Sequence, residues 1–125
     1  MPNWQPNWSN VIWNWGAASA AAQELRRMAD DLDKSAHERR QLAGAAQAEW
    51  RGRFRDEFDA DLGRMLNEAQ GIAAELRAAA GQIEHASDLA RSEQQHRERE
   101  RERWQHEKRE EERRERAAQE RRQSH

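Results

Sequence analysis

The chain has 125 residues with no cysteine, no tyrosine and two prolines, and 37% of its positions are charged. This length holds one domain at most; the absence of cysteine excludes disulfides and thiol chemistry, and a formal net charge of −2 lacks the basic excess of a nucleic-acid binder. No stretch approaches the roughly 20 apolar residues of a membrane span, and no lysine or arginine precedes an apolar run near the start, so neither stable membrane insertion nor a general secretory signal peptide is expected.

The first segment, residues 1–16, is poor in charge and rich in tryptophan: Trp4, Trp8, Trp13 and Trp15, with Pro2-Asn3-Trp4 repeated as Pro6-Asn7-Trp8. The prolines hold its first half extended or turned. A helix is expected from Ser9, whose hydroxyl serves as N-cap and places Val11, Ile12 and Trp15 on one side. The rings either cover the open end of a helical hairpin as local core or form a docking patch for a partner; a membrane-interface anchor is the weaker alternative, because no lysine or arginine accompanies them.

Residues 17–49 read as one helix. Ala18, Ala21, Leu25, Met28, Leu32, Ser35, Leu42 and Ala46 recur at steps of three and four, a heptad-like stripe broken where Arg39 takes a seam position. Arg39 either snorkels outward or meets a carboxylate on a facing helix. Trp50-Arg51-Gly52 then interrupts the pattern: a large ring beside a helix-breaking glycine marks the bend of a helical hairpin.

Residues 53–90 carry the more regular stripe. Phe58, Leu62, Met65, Ala69, Ile72, Leu76, Ala79, Ile83, Ala86 and Ala90 step by four and three without a break, with Leu66, Ala73, Ala80 and Leu89 widening the apolar face. A face wider than one seam, together with an alanine-rich and therefore thin core, implies more than one helical neighbour. The fold class expected is all-α: an antiparallel hairpin that dimerises into a four-helix bundle, its dimer seam built by Leu25, Met28, Leu32, Leu42, Phe58, Leu62, Met65, Ile72, Leu76 and Ile83. Gly63, Gly71 and Gly81 each weaken the second helix by about 1 kcal/mol relative to alanine, so packing must supply its order.

Residues 91–125 form a charged tail in which arginine and glutamate alternate strictly from Arg97 to Arg103. Like charges then fall two and four apart, which gives only partial helical support, while Glu110 with Arg114 and Glu112 with Arg116 have the favourable spacing. The tail reads as a solvated, fraying helix or as a disordered segment with almost nothing to bury. Trp104 is the exception, continuing the four-three register of the preceding helix, and it joins Trp4, Trp8, Trp13 and Trp15 as a candidate docking ring.

Chemistry is not indicated. His37, His85, His96 and His106 have no partner histidine at a spacing of three or four, so no metal site is expected. The carboxylate pairs Asp30 with Asp31 and Asp59 with Asp61 fit no pattern that encloses a substrate, and glycine-rich phosphate loops are missing. No catalytic residue, cofactor or enzymatic activity is assigned. The glutamates interleaved with the tail arginines cancel the field that RNA binding needs.

A helix, then Trp-X-Gly, then a second helix with phenylalanine eight residues after the tryptophan resembles the WXG family of small helical-hairpin proteins of type VII (ESX) secretion. Trp50, Gly52 and Phe58 stand where that pattern places them, and the resemblance covers residues 17–90. It implies export as a folded homodimer or heterodimer with another hairpin protein, without a cleavable signal peptide and from a cytoplasmic pool. It also implies a composite mark, read by the secretion ATPase, in which the bend tryptophan of one chain lies beside a C-terminal Tyr-X-X-X-Asp/Glu signal of the other. With no tyrosine here, the partner is expected to supply that half. The tryptophan-rich leader and the long tail depart from the family pattern and are expected to suit an adaptor for a toxin cargo. The rival reading is an intracellular coiled-coil scaffold or assembly protein with a purely structural bend.

Overall fold

A computed structural model describes residues 1–124 and contains two helices, α1 (Trp15–Gln47) and α2 (Arg53–Gln123), with no strand among the described residues. The chain divides into two compact units, one of Asn14–Ala86 and the other of Met1–Trp13 together with the chain from Ser87 onward.

In the first unit α1 and the N-terminal part of α2 pack as a hairpin. α1 does not start at Ser9. It starts after Asn14, whose backbone is extended (φ −100°) and whose side-chain oxygen accepts from the Ala17 amide at 2.9 Å. Asparagine is as good an N-cap as serine and stands directly before an unbroken alanine-rich run, whereas a helix from Ser9 would begin well ahead of it. At the other end α1 closes at Gln47, with the Glu49 and Trp50 amides donating to the Ala46 and Gln47 carbonyls at 3.2 Å.

The hairpin core is small and alanine-rich: Ala22, Ala29 and Ala43 of α1 and Leu66, Ala73 and Ala80 of α2 are buried. These residues recur every seven positions, or every fourteen where Ala36 is half-buried, and Leu25, Leu32, Ala46, Leu62, Ala69, Leu76 and Ile83 are half-buried beside them. The seam therefore runs one position away from the line of Ala21, Met28 and Leu42 expected for α1 and of Met65 and Ile72 expected for α2. Small side chains at its centre let the helix axes approach closely, so alanines seal most of the contact and larger residues flank it.

The second unit pairs the charged part of α2 with the leader. Of the two arrangements expected for the tail, helix or disorder, the chain adopts the helix, which continues to Gln123. The leader, without regular secondary structure, runs antiparallel along it. Contacts begin at Met1 with Glu111 and end at Trp13 with Ser87. That interval of α2 is about 36 Å of helix at 1.5 Å per residue, so the leader advances about 3 Å per residue, the pace of polyproline II. Pro2 and Pro6, buried, set that extended geometry.

Candidate functional site: the bend and the open flank of the hairpin

The bend is built from Trp50 to Phe58. Gly52 has φ +84°, the left-handed region that a side chain enters only at a cost, and its carbonyl accepts the first backbone bond of α2, from the Asp56 amide at 3.2 Å. Asp56 in the first turn places negative charge at the positive end of the helix. The positive φ turns the chain back sharply and leaves the Trp50 ring lying on the start of α2. There it meets Phe54 and Phe58 edge-on, with ring centroids 5.4 and 5.1 Å apart and planes at 65° and 86°. Such pairs contribute about 0.5–1.5 kcal/mol each beyond area burial. Arg51 and Arg55 donate to the Trp50 carbonyl at 3.1 and 3.4 Å, fixing the peptide that carries the ring. Trp50 remains half-exposed and Phe54 largely exposed, so the bend presents an aromatic surface as well as closing the hairpin.

The two flanks of the hairpin seam differ in chemistry. On one flank, polar side chains bridge the helices: Arg26 pairs with Glu84, Gln47 donates to Asp59, and Arg77 bridges Asp30 and Asp33 at 2.9 and 2.5 Å. The two aspartates hold Arg77 protonated more firmly than usual, through the hydrogen bond from Asp30 first and that from Asp33 second. On the other flank no ion pair crosses among the described residues. Met28 and Leu42 of α1 are 46% and 73% exposed, and Met65 and Ile72 of α2 are each 49% exposed. Between Leu42, Ala46, Phe58, Leu62 and Met65 lies an open groove of about 370 Å³, with Arg39 and Asp61 at its borders. A smaller one of about 100 Å³, lined by Leu32, Ala36, Leu66 and Ala69, continues the same side. Arg39 is exposed and has no ion partner among the described residues, so of its two expected arrangements the chain adopts the outward, snorkelling one.

Of the ten apolar residues assigned to a dimer seam, Leu25, Leu32, Leu62, Leu76 and Ile83 are half-buried in the hairpin, Phe58 is half-buried under the Trp50 ring at the end of the open flank, and Met28, Leu42, Met65 and Ile72 stand exposed along that flank.

The candidate docking rings contact the chain itself. The Trp4 indole donates to Glu107 at 2.7 Å, and the Arg103 guanidinium stacks 4.8 Å from the Trp4 centroid. The indole hydrogen bond, and after it Arg103, holds the Glu107 carboxyl below its usual range. Trp8 donates to Gln5 and meets Trp104 edge-on at 5.3 Å. Trp13 donates to Ser87 at 3.0 Å, and Trp15 is half-buried at the start of α1. Trp104 is buried, its indole nitrogen without a hydrogen-bond partner and Lys108 5.4 Å from its ring centroid. The expectation that the tail has almost nothing to bury is thus corrected: the leader supplies what covers Trp104.

Two sets of contacts escaped the reading of the sequence. Arg101 donates to the Asn7 and Ser9 carbonyls at 3.0 and 2.6 Å, and Gln94 accepts from the Val11 amide at 2.8 Å. Arg97 also reaches the Ser9 carbonyl, at 3.2 Å. The alternating tail places Arg97 and Arg101 four apart on one helical face, a spacing that repels locally but suits a row of carbonyls. The second set is the polar bridge Arg26, Arg77 and Glu84, whose positions follow from the heptad once its phase is known.

Comparison of the chain with protein-family models, with curated proteins and with solved structures finds no match. No helix among the described residues is long and apolar enough to cross a membrane.

Proposed function

We propose that this protein is a substrate or co-secreted partner of a type VII (ESX-like) secretion system, acting through pairing of its hairpin with a second helical hairpin into a four-helix bundle. The observation that carries this reading is the bend: a tryptophan two residues before a positive-φ glycine, resting half-exposed on the phenylalanine eight residues after it. A half-exposed ring at the tip is available to a secretion ATPase while it also closes the hairpin on Phe58. The open apolar flank supports the pairing, since contiguous exposed apolar surface marks an interaction site. In this reading Trp50 and Gly52 provide the bend half of the export mark and the partner provides the tyrosine-bearing half.

The test is export into the medium by the native host, comparing the wild-type chain with Trp50→Ala. The expected outcome is that the wild type reaches the medium and the variant stays in the cells, with its helicity and solution mass unchanged. Export of both would make the bend purely structural. Retention of both would favour an intracellular coiled-coil scaffold.

A further inference from the structure

The open flank of the hairpin is apolar along its middle and acidic along both edges. Counting outward from the seam, the heptad places Ala21, Met28, Ser35 and Leu42 on α1 and Phe58, Met65, Ile72 and Ala79 on α2. The next row outward on α1 is Glu24, Asp31 and Glu38, and on α2 it is Asp61, Glu68 and Glu75, all six exposed. Glu24 and Asp61 are engaged by Arg27 and Arg64 of their own helices. Asp31, Glu38, Glu68 and Glu75 have no ion partner among the described residues. Among the described residues, Arg39 is the one cation that lines the groove between the edges.

Resting on the reading that the hairpin pairs through this flank, we propose that its occupant is a different chain: a helix or helical hairpin whose apolar stripe is bordered by lysine and arginine. A second copy fits poorly. Because both edges carry carboxylates, a face-to-face pairing of two copies, parallel or antiparallel, sets an acidic edge against an acidic edge, a repulsion that salt screens over about 8 Å at physiological strength. Like-charge juxtaposition of this kind is how an interface rejects wrong partners. The same edges repel nucleic-acid phosphates and anionic lipid headgroups. A stripe with basic borders instead buries Met28, Leu42, Met65 and Ile72 while neutralising the four unpaired carboxylates, in the manner of charged residues flanking a coiled-coil seam.

The test uses the full chain and two synthetic amphipathic peptides of about four heptads with an identical leucine and alanine stripe, one flanked by lysine and the other by glutamate. Binding is followed by fluorescence anisotropy of the labelled peptide. The lysine-flanked peptide is expected to bind at least about tenfold more tightly than the glutamate-flanked one, and to weaken as salt rises. The fourfold reversal Asp31→Lys, Glu38→Lys, Glu68→Lys and Glu75→Lys, at exposed positions, is expected to invert that preference. Equal binding of the two peptides, binding of neither, or a preference that survives the reversal overturns the proposal. Should the reversed chain lose helicity, the salt series on the wild-type chain decides, and a salt-independent affinity overturns it. None of these measurements passes through a secretion system, so a failure here leaves the export reading to its own test.

Discussion

At the residue scale, Gly52 and Trp50 carry the hairpin's geometry. A side chain at position 52 meets no neighbour within 4 Å, so Gly52→Ala isolates the backbone cost of φ +84°: about 1–2 kcal/mol, seen as a lower thermal midpoint without lost helix. Alanine at Gly71, which lies inside a helix with equally open surroundings, is expected to raise the midpoint by up to about 1 kcal/mol of stability. Opposite signs for the same substitution at the two sites would confirm that conformation, rather than space, distinguishes them. The bend was legible in the sequence because a tryptophan, a glycine and an interrupted stripe coincide there. Trp104 stands out in the sequence as an isolated ring in register with the preceding stripe, a candidate for docking. Its burial depends on a leader more than ninety residues away in the chain, and no local pattern encodes that contact. Trp104→Ala is expected to release the leader, seen as rapid proteolysis after the tryptophans of residues 1–13. Trp104→Phe is expected to retain it, because the indole nitrogen makes no hydrogen bond that phenylalanine would forfeit.

At the scale of elements, both helices were legible from their stripes, but the phase of the seam was not. Leucine, methionine and isoleucine weigh most in a hydrophobic pattern, so the expected stripe takes in Met28, Leu42, Met65 and Ile72 together with Leu25, Leu32, Leu62, Leu76 and Ile83, which do flank the seam. The helices instead close on alanine, and Met28, Leu42, Met65 and Ile72 sit to one side. The helical tail is legible in its charge pattern, but its pairing with the leader is not. Arg97 and Arg103 do pair with Glu93 and Glu107 along the helix, but Arg97 and Arg101 also serve carbonyls of the leader, which no local spacing shows. The leader's attachment has a definite pH dependence. Glu107 is held below its usual carboxyl range by the Trp4 indole and Arg103, so folding favours its charged form. That contribution is complete above the ordinary carboxylate pKa and is lost as pH falls through the depressed one. Tryptophan fluorescence should therefore report the leader's release under acid, and Glu107→Gln should make the attachment less dependent on pH in that range.

At the scale of the whole molecule, one chain satisfies its charged tail with its own leader yet leaves one flank of its hairpin uncovered. The polar flank is closed by Arg26, Arg77 and their carboxylates, contacts that weaken at high salt because they are solvent-exposed. The opposite flank is where the chain has most to gain from another protein, and its acidic borders set what that protein must look like. The solution mass of the purified chain, measured by light scattering over a wide concentration range with helicity recorded alongside, tests this most directly. A helical chain at the mass of one copy, 14.7 kDa, with its apolar flank unoccupied, is expected. A stable dimer that persists on dilution would contradict it, placing a second copy where a basic-edged partner is expected.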